Sequence, residues 1–401
     1  MDFAQIDIAA LDNRIRELQL KRWWIAEQIG VDRKTITRWL TGHTRRIHRD
    51  NLDRLAAILE CMPDDLVAPS DDVASPSDQH HAAQLIEQEN LLEILTPGGK
   101  WPLLEELIKA TMRPDLPKPL LGQLYNYLSI AAWRRSQLDK AESYCMRAKT
   151  IGEETGFKAV QARARLNEAT ILSFRGQVEA SLAAYKDCVE QKEYAEDEMV
   201  YASALSNLGS VYHEYGDLQA SLMYQDRAIA AFEDLDKPVN LSIAWIARAA
   251  VLVEAKEWNL AEEAVAKSFH YVELGKWERG VGDAGLVKAA LCAGRQDAAG
   301  CRAAIDAALA QFQKLGIDEA RNHVTLAMAW RLEQQFDEAS RSLTHAMTVN
   351  PDFPIAQTEV LREWLRLAET VGDEKLREEK RNELASLYER CGCLAWLERL
   401  A

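Results

Sequence analysis

The sequence predicts an all-α protein, in which a small N-terminal bundle of five short helices precedes a right-handed α-solenoid built from helix pairs. Three observations carry that reading. A turn-like position returns about every 40 residues through most of the chain. The first part of the chain has no such period, and its apolar residues are instead spaced for one compact core. Charge divides the same way, with a basic island near the start and an acidic remainder.

At 401 residues the chain is long enough for a large core and a separate small domain. No apolar run approaches the roughly 18 residues of a membrane span. The opening MDFAQIDIAALDNR lacks the basic-then-apolar order of a secretory signal. A cytoplasmic protein with no membrane partner is expected. The seven cysteines agree: Cys145, Cys188, Cys292 and Cys301 fall on small or apolar slots, where a thiol packs as a small hydrophobe. Cys391 and Cys393 form C-G-C, which is not C-x₂-C and has no second pair to complete a zinc site.

Net charge is −15, but residues 1–54 hold 11 Lys/Arg against 8 Asp/Glu. From Arg33 to Arg49 there are six basic side chains (Arg33, Lys34, Arg38, Arg45, Arg46 and Arg49) and no acidic one. A basic island on an acidic protein points to local contact with a polyanion, since the remainder repels one.

Leu11 to Leu66 reads as five short helices around the run RWWIAEQIGVDRKTITRWLTG, Arg22 to Gly42. Ala26 must be small where a second helix crosses, and Gly30 suits a turn that needs positive φ. Ile25, Ile29, Val31, Ile36 and Trp39 are spaced for a shared core. This spacing resembles the Cro/repressor (XRE-type) helix-turn-helix domain, and Asn51 to Val67 resembles its closing helices. The resemblance implies a recognition helix over Arg33 to Thr41 whose N-terminal side chains enter the major groove of double-stranded operator DNA. Arg33, Lys34, Thr37 and Arg38 then reach base edges. Lys21 and Arg22 before them, and Arg45, Arg46 and Arg49 after them, meet phosphates. Trp24 departs from the pattern, in which a polar residue is commoner. The plainer reading is a basic helical bundle used for protein contacts.

Ala68 to His81, APSDDVASPSDQHH, has a composition that buries no core. The expected division is a DNA-binding domain over 1–68, a linker over 69–81, and the solenoid over 82–401. His80 and His81 lack a third ligand within the linker, so no metal is assigned to them.

The best-formed repeat runs from Ala202 to Asp236. Leu205, Leu208, Gly209 and Tyr212 fill the slots of a first helix, and Ser221, Gln225 and Ala228 those of its partner, with Gly216-Asp217 as the turn. Forty residues back stands Gly176, and forty more reach Ser136. Forward lie Lys256 and Gln296, then Gln334 and Gly372 at a spacing of about 38, and a weaker unit opens at Gly99. These units resemble tetratricopeptide (TPR) repeats, which stack into a superhelix with a long concave surface. In such a superhelix the first helix of each pair lines the groove. Asn167 and Asn207 share one slot there and Asn126 lies one slot off, and an amide can pair with a peptide backbone whatever its sequence. Arg134 and Arg163, on the same helices, suit a carboxylate. Asparagine at this slot also reads as TPR consensus that ties neighbouring helices, and both readings stand. Trp133, Trp245, Trp258 and Trp330 fall mostly on packing slots.

An XRE-type domain, a linker and about seven helix pairs together resemble the RRNPP peptide-pheromone receptors. That resemblance implies a homodimer whose TPR domain binds a signalling peptide or protein, which changes how two heads engage a two-part operator. No cofactor is implied. There is no Gly-rich phosphate loop, H-E-x-x-H or G-x-S-x-G, and GVGDAG (Gly280 to Gly285) opens a repeat helix with no preceding strand, so no enzyme activity is expected. The alternatives are an interaction scaffold with a protein-binding head, and a DNA-binding regulator that recruits a protein with no peptide ligand.

Overall fold

The computed structural model describes residues 3–44, 46–67, 100–113, 115–190, 198–349, 351 and 353–400. The chain divides into two compact units, Met1–Asp78 and Gln79–Ala401. Arg45, the linker over 69–81 and the first residues of the expected solenoid lie outside the described residues.

The first unit holds α1 (Ile8–Glu17), α2 (Arg22–Ile29), α3 (Arg33–Leu40) and α4 (Arg49–Ile58). Asp7 starts α1 by accepting from the amides of Ala9 and Ala10 at 2.9 and 3.0 Å. Gly30 ends α2 at φ 74°, and Asp32 caps α3 through the Lys34 amide. Ile25, Ala26, Ile29, Ile36 and Trp39 are all buried in one core, with Val31 packed on its edge. Two features differ from the sequence expectation. The fifth helix is a four-residue 3₁₀ turn, Pro63–Leu66, too short to complete α-helical bonding. A two-stranded antiparallel ribbon, β1 (Phe3–Gln5) with β2 (Arg46–His48), pairs Ala4 with Ile47, both buried. Three-residue strands show no usable alternation in sequence.

Among the described residues of the second unit, α5 (Trp101–Thr111) comes first. Seven helix pairs follow: α6 (Lys118–Trp133) with α7 (Leu138–Thr155), α8 (Lys158–Phe174) with α9 (Val178–Glu190), and α10 (Glu198–Tyr215) with α11 (Leu218–Asp234). Next come α12 (Pro238–Glu254) with α13 (Trp258–Leu274), α14 (Glu278–Gly294) with α15 (Ala298–Leu315), and α16 (Ala320–Leu332) with α17 (Phe336–Ala346). The last pair is α18 (Pro354–Val371) with α19 (Glu374–Cys391), and α20 (Leu394–Leu400) closes the described chain.

Every turn position reached by counting repeats has a left-handed backbone: Ser136, Gly176, Gly216, Lys256, Gln296, Gln334 and Gly372 lie between φ 60° and 106°. Reversing the chain between antiparallel helices in so few residues needs that conformation, which is why its spacing is legible. Within pairs, Ser181 Oγ donates to Ala169 O and Ser221 Oγ donates to Gly209 O, a bond repeated forty residues on. A Cβ on Gly209 would stand 2.7 Å from Gln225 Nε2, so that helix crossing admits only glycine without a shift.

The superhelix returns upon itself. Leu361 of α18, Leu384, Leu387, Tyr388 and Cys391 of α19, Cys393, and Trp396 of α20 share one core with Val178, Leu182, Tyr185, Leu208 and Val211 of the second and third pairs. Phe353 packs on Phe174 with ring centroids 5.2 Å apart. Trp396 Nε1 donates to the His213 carbonyl at 2.8 Å, across 183 positions of sequence. Burial pushes the Cys393 thiol up to about 12 and raises Cys391, so the C-G-C pair packs as apolar groups.

Candidate DNA-reading face and ligand channel

On α3 the buried Ile36 and Trp39 fix the helix rotation, which leaves Arg33, Lys34, Thr37 and Arg38 exposed. Lys21 stands at the N-cap position of α2 without a side-chain bond and Arg22 opens the helix, both exposed. Arg46 is exposed on β2 rather than in a loop, and Arg49 is the first residue of α4. Among the described residues, no acidic side chain pairs with Lys21, Arg22, Arg33, Lys34, Arg38 or Arg46, so their charge is presented to solvent. By contrast Arg14 is spent internally, donating to the carbonyls of Leu59 and Glu60. Trp24 packs against the core. Its neighbour Trp23 is 47% exposed, with the Arg33 guanidinium 5.8 Å from its ring, and sequence reasoning passed over it. Adjacent tryptophans on one helix cannot both face inward, and that was the available signal.

In the second unit the asparagines divide. Asn126 and Asn167 are buried and spend their amides on each other's helices. Asn167 Nδ2 donates to Asn126 O at 3.2 Å and to its Oδ1 at 3.3 Å, while Asn126 Nδ2 donates to Val160 O at 3.1 Å. These two clasp adjacent repeats and offer no amide to the groove, contrary to the peptide-contact expectation. Asn207 is half-buried and bonds the hydroxyl of Tyr185, which also meets Thr170. Arg163 is half-buried one turn before Asn167. Trp133, Trp245, Trp258 and Trp330 are half-buried on packing slots.

Arg134 is exposed at the end of α6. Its guanidinium lies over the Trp133 ring at 4.3 Å and near the Trp101 ring at 5.6 Å. The charges that act on it are those of Arg279 and Asp283 of α14 with Glu319 and Arg321 at the start of α16. Arg279 bridges Asp283 at 3.3 Å and Glu319 at 2.7 Å, and Arg321 bridges the same two carboxylates. Two cations and two anions there balance, and Arg134 has no carboxylate of its own among the described residues. Crowding by protein, then Arg279, lowers the Arg134 pKa, with Arg321 adding to the effect and Asp283 and Glu319 opposing it. A guanidinium stacked on aromatics, with no carboxylate partner among the described residues, has the chemistry to bind one.

The network was missed from sequence, yet a signal existed. Arg163, Asp283, Arg321 and Glu359 each stand thirteen residues before a turn residue, namely Gly176, Gln296, Gln334 and Gly372.

Nearer the closure, burial pushes the Glu214 carboxyl up to about 8, with Glu359 adding repulsion and the Ser173 hydroxyl opposing. Burial also lowers His213 to about 4, assisted by Arg362. Glu214 therefore holds an extra proton in the folded state between about pH 4.5 and 8, and stability falls as pH rises toward 8. His213 has the opposite sense: its contribution is lost as pH falls from 6.5 toward 4. Glu214→Gln keeps an acceptor for Ser173 and removes the titration, so urea melts should show a flatter decline up to pH 8 and a more stable protein there. A decline identical to wild type would remove Glu214 as its source.

Residues 7–72 match the family model described as a Cro/C1-type HTH DNA-binding domain. Among solved structures, the chain is similar to a Rap protein complexed with competence and sporulation factor, at TM-score 0.58 and 12% identity over 81% of this chain and 98% of that one. It is similar to RapI in its apo form at TM-score 0.50 and 11% identity, over 69% of this chain and 98% of that one. PlcR of Bacillus thuringiensis, in complex with the peptide PapR7 and DNA, overlaps at TM-score 0.42 and 12% identity, over 67% of this chain and 95% of that one. No curated protein matches the chain. At these identities the likeness is one of fold: a Cro/C1-type helix-turn-helix domain precedes a TPR-like helical solenoid. Among the described residues, no helix is long and apolar enough to cross a membrane.

Proposed function

We propose that this protein is a cytoplasmic, homodimeric transcription regulator whose solenoid binds a signalling peptide and thereby alters operator binding. The observation that carries the regulator reading is the exposed Arg33, Lys34 and Arg38, without an acidic partner among the described residues, on α3, the second helix of the helix-turn-helix in a Cro/C1-type domain. One such head offers too few base contacts for a specific operator, so two heads on half-sites about one helical turn apart are the natural solution.

The peptide reading is supported by Arg134, and by a fold shared with a Rap protein that complexes competence and sporulation factor. Arg134 takes the ligand's carboxylate, with Arg321, Arg163 and Asn207 along its path; Asn126 and Asn167 keep their clasping role. Binding shifts DNA affinity only by the ligand's differential affinity for the two arrangements of the dimer.

The test is a selection of genomic duplexes by the purified protein, followed by calorimetric titration of host-derived peptides. Light scattering should report twice the chain mass of 45.2 kDa. Arg134→Ala should weaken peptide binding about tenfold, the loss of one charge-assisted hydrogen bond, and leave DNA binding by the free protein unchanged. Failure to select any duplex at low salt would favour the scaffold reading, and equal peptide affinity in wild type and variant would remove Arg134 from the site.

A further inference from the structure

The α16–α17 hairpin sets the first turn of one helix beside the last turn of the other, and each carries a histidine there. His323 and His345 meet edge to face with ring centroids 4.3 Å apart. Both aim at Asp318, in the loop that enters α16. His323 Nε2 is 2.6 Å from Asp318 Oδ1, and His345 Nε2 is 3.7 Å from Asp318 Oδ2. One donor atom from each residue lies within 4.8 Å of the other two.

We propose that Asp318, His323 and His345 form a binding site for a divalent transition-metal ion of the zinc, nickel or copper class. Bonds of 2.0–2.1 Å in a tetrahedral site set ligand atoms about 3.4 Å apart. The carboxylate-to-imidazole separations in the hairpin fall on either side of that value, and all three donors lie within 4.8 Å of one another, a spacing that small side-chain adjustments bring to a common ion. Two imidazoles with one carboxylate select these metals over magnesium or calcium, which take oxygen ligands. Three protein ligands leave room for water, since Asp318 and His345 are 61% and 53% exposed. The last-turn position of His345 adds the negative end of α17, which favours a cation.

The ion would replace the direct contact between His323 and Asp318, accepting the lone pair of each imidazole. It would also tie the two helices to the loop that ends at Glu319, the N-cap of α16. The sequence hides the site because its first two members are five residues apart and the third is 22 beyond them, a spacing shared with no zinc motif.

The test uses the full chain, free of any affinity tag and stripped with chelator, titrated with Zn²⁺ alone in a calorimeter at pH 7.5. One equivalent should bind at micromolar affinity and raise the melting temperature. Affinity should fall at least tenfold in His323→Ala and in His345→Ala, and also in wild type at pH 5.5, where protons compete for imidazole. The exposed His270→Ala and the paired change His80→Ala with His81→Ala should bind as wild type does, and Mg²⁺ should not bind. Asp318→Asn preserves the shape of the loop, and it serves as the deciding variant if either histidine change unfolds the hairpin. Absence of stoichiometric Zn²⁺ binding, or binding undiminished when both hairpin histidines are removed, would overturn the assignment and leave a hydrogen-bonded His–Asp contact.

Discussion

Trp396→Ala is expected to destabilise the second unit by about 3–5 kcal/mol, the range for truncating a large aromatic in a packed core. The side chain is only 9% exposed and lies between the guanidinium groups of Arg362 and Arg399, each 4.9 Å from its ring. Its indole N–H also donates to the His213 carbonyl near the C-terminal end of α10, which accepts from the Gly216 amide at 3.1 Å as well. Trp396→Phe keeps much of the packing and loses that bond, so it should cost roughly 1 kcal/mol more than its small loss of area. Urea unfolding followed by circular dichroism measures both. A change under about 1 kcal/mol for Trp396→Ala would mean that the superhelix is open at this seam in solution.

Arg38→Ala should weaken binding to the selected operator by about 1–3 kcal/mol and relax preference at one base pair. Its side chain is exposed on α3, and alanine there removes charge and hydrogen bonds without disturbing the buried Ile36 and Trp39. Arg46→Ala acts differently because phosphate contact carries no sequence information. It should weaken all duplexes alike and reduce the slope of log affinity against log salt by about one. Equal losses on operator and random duplex in both variants would remove Arg38 from base reading while leaving it at the interface.

The head was legible because its signals are local: Ala26, Ile36 and Trp39 lie within one short run and meet in one core, and Gly30 makes the turn between them. Its ribbon was not, since the strands are three residues long and their partners are over forty positions apart. In the solenoid the turn phase could be counted, because left-handed positions repeat with the helix pairs. The use of each slot could not. One residue of helix rotation is about 100°, enough to turn an asparagine from the groove into the inter-repeat space where Asn126 and Asn167 sit. The ion pairs of Arg279, Asp283, Glu319 and Arg321 join the fifth pair to the sixth, and their influence on Arg134 of the first pair depends on the curvature of the superhelix.

The return of α18 to α20 onto the second and third pairs also means that one core cannot be completed until late in synthesis. Val178 and Val211 leave the ribosome long before Trp396 exists, yet all three belong to one core. At synthesis rates of about 5–20 residues per second, the interval is on the order of 10–40 s. Throughout it the nascent second and third pairs display an apolar seam whose covering is still untranslated. A repeat protein of the open kind can settle unit by unit as it emerges. This one must hold an unfinished edge in water until its last described helices arrive, and during that wait the seam is exposed apolar surface.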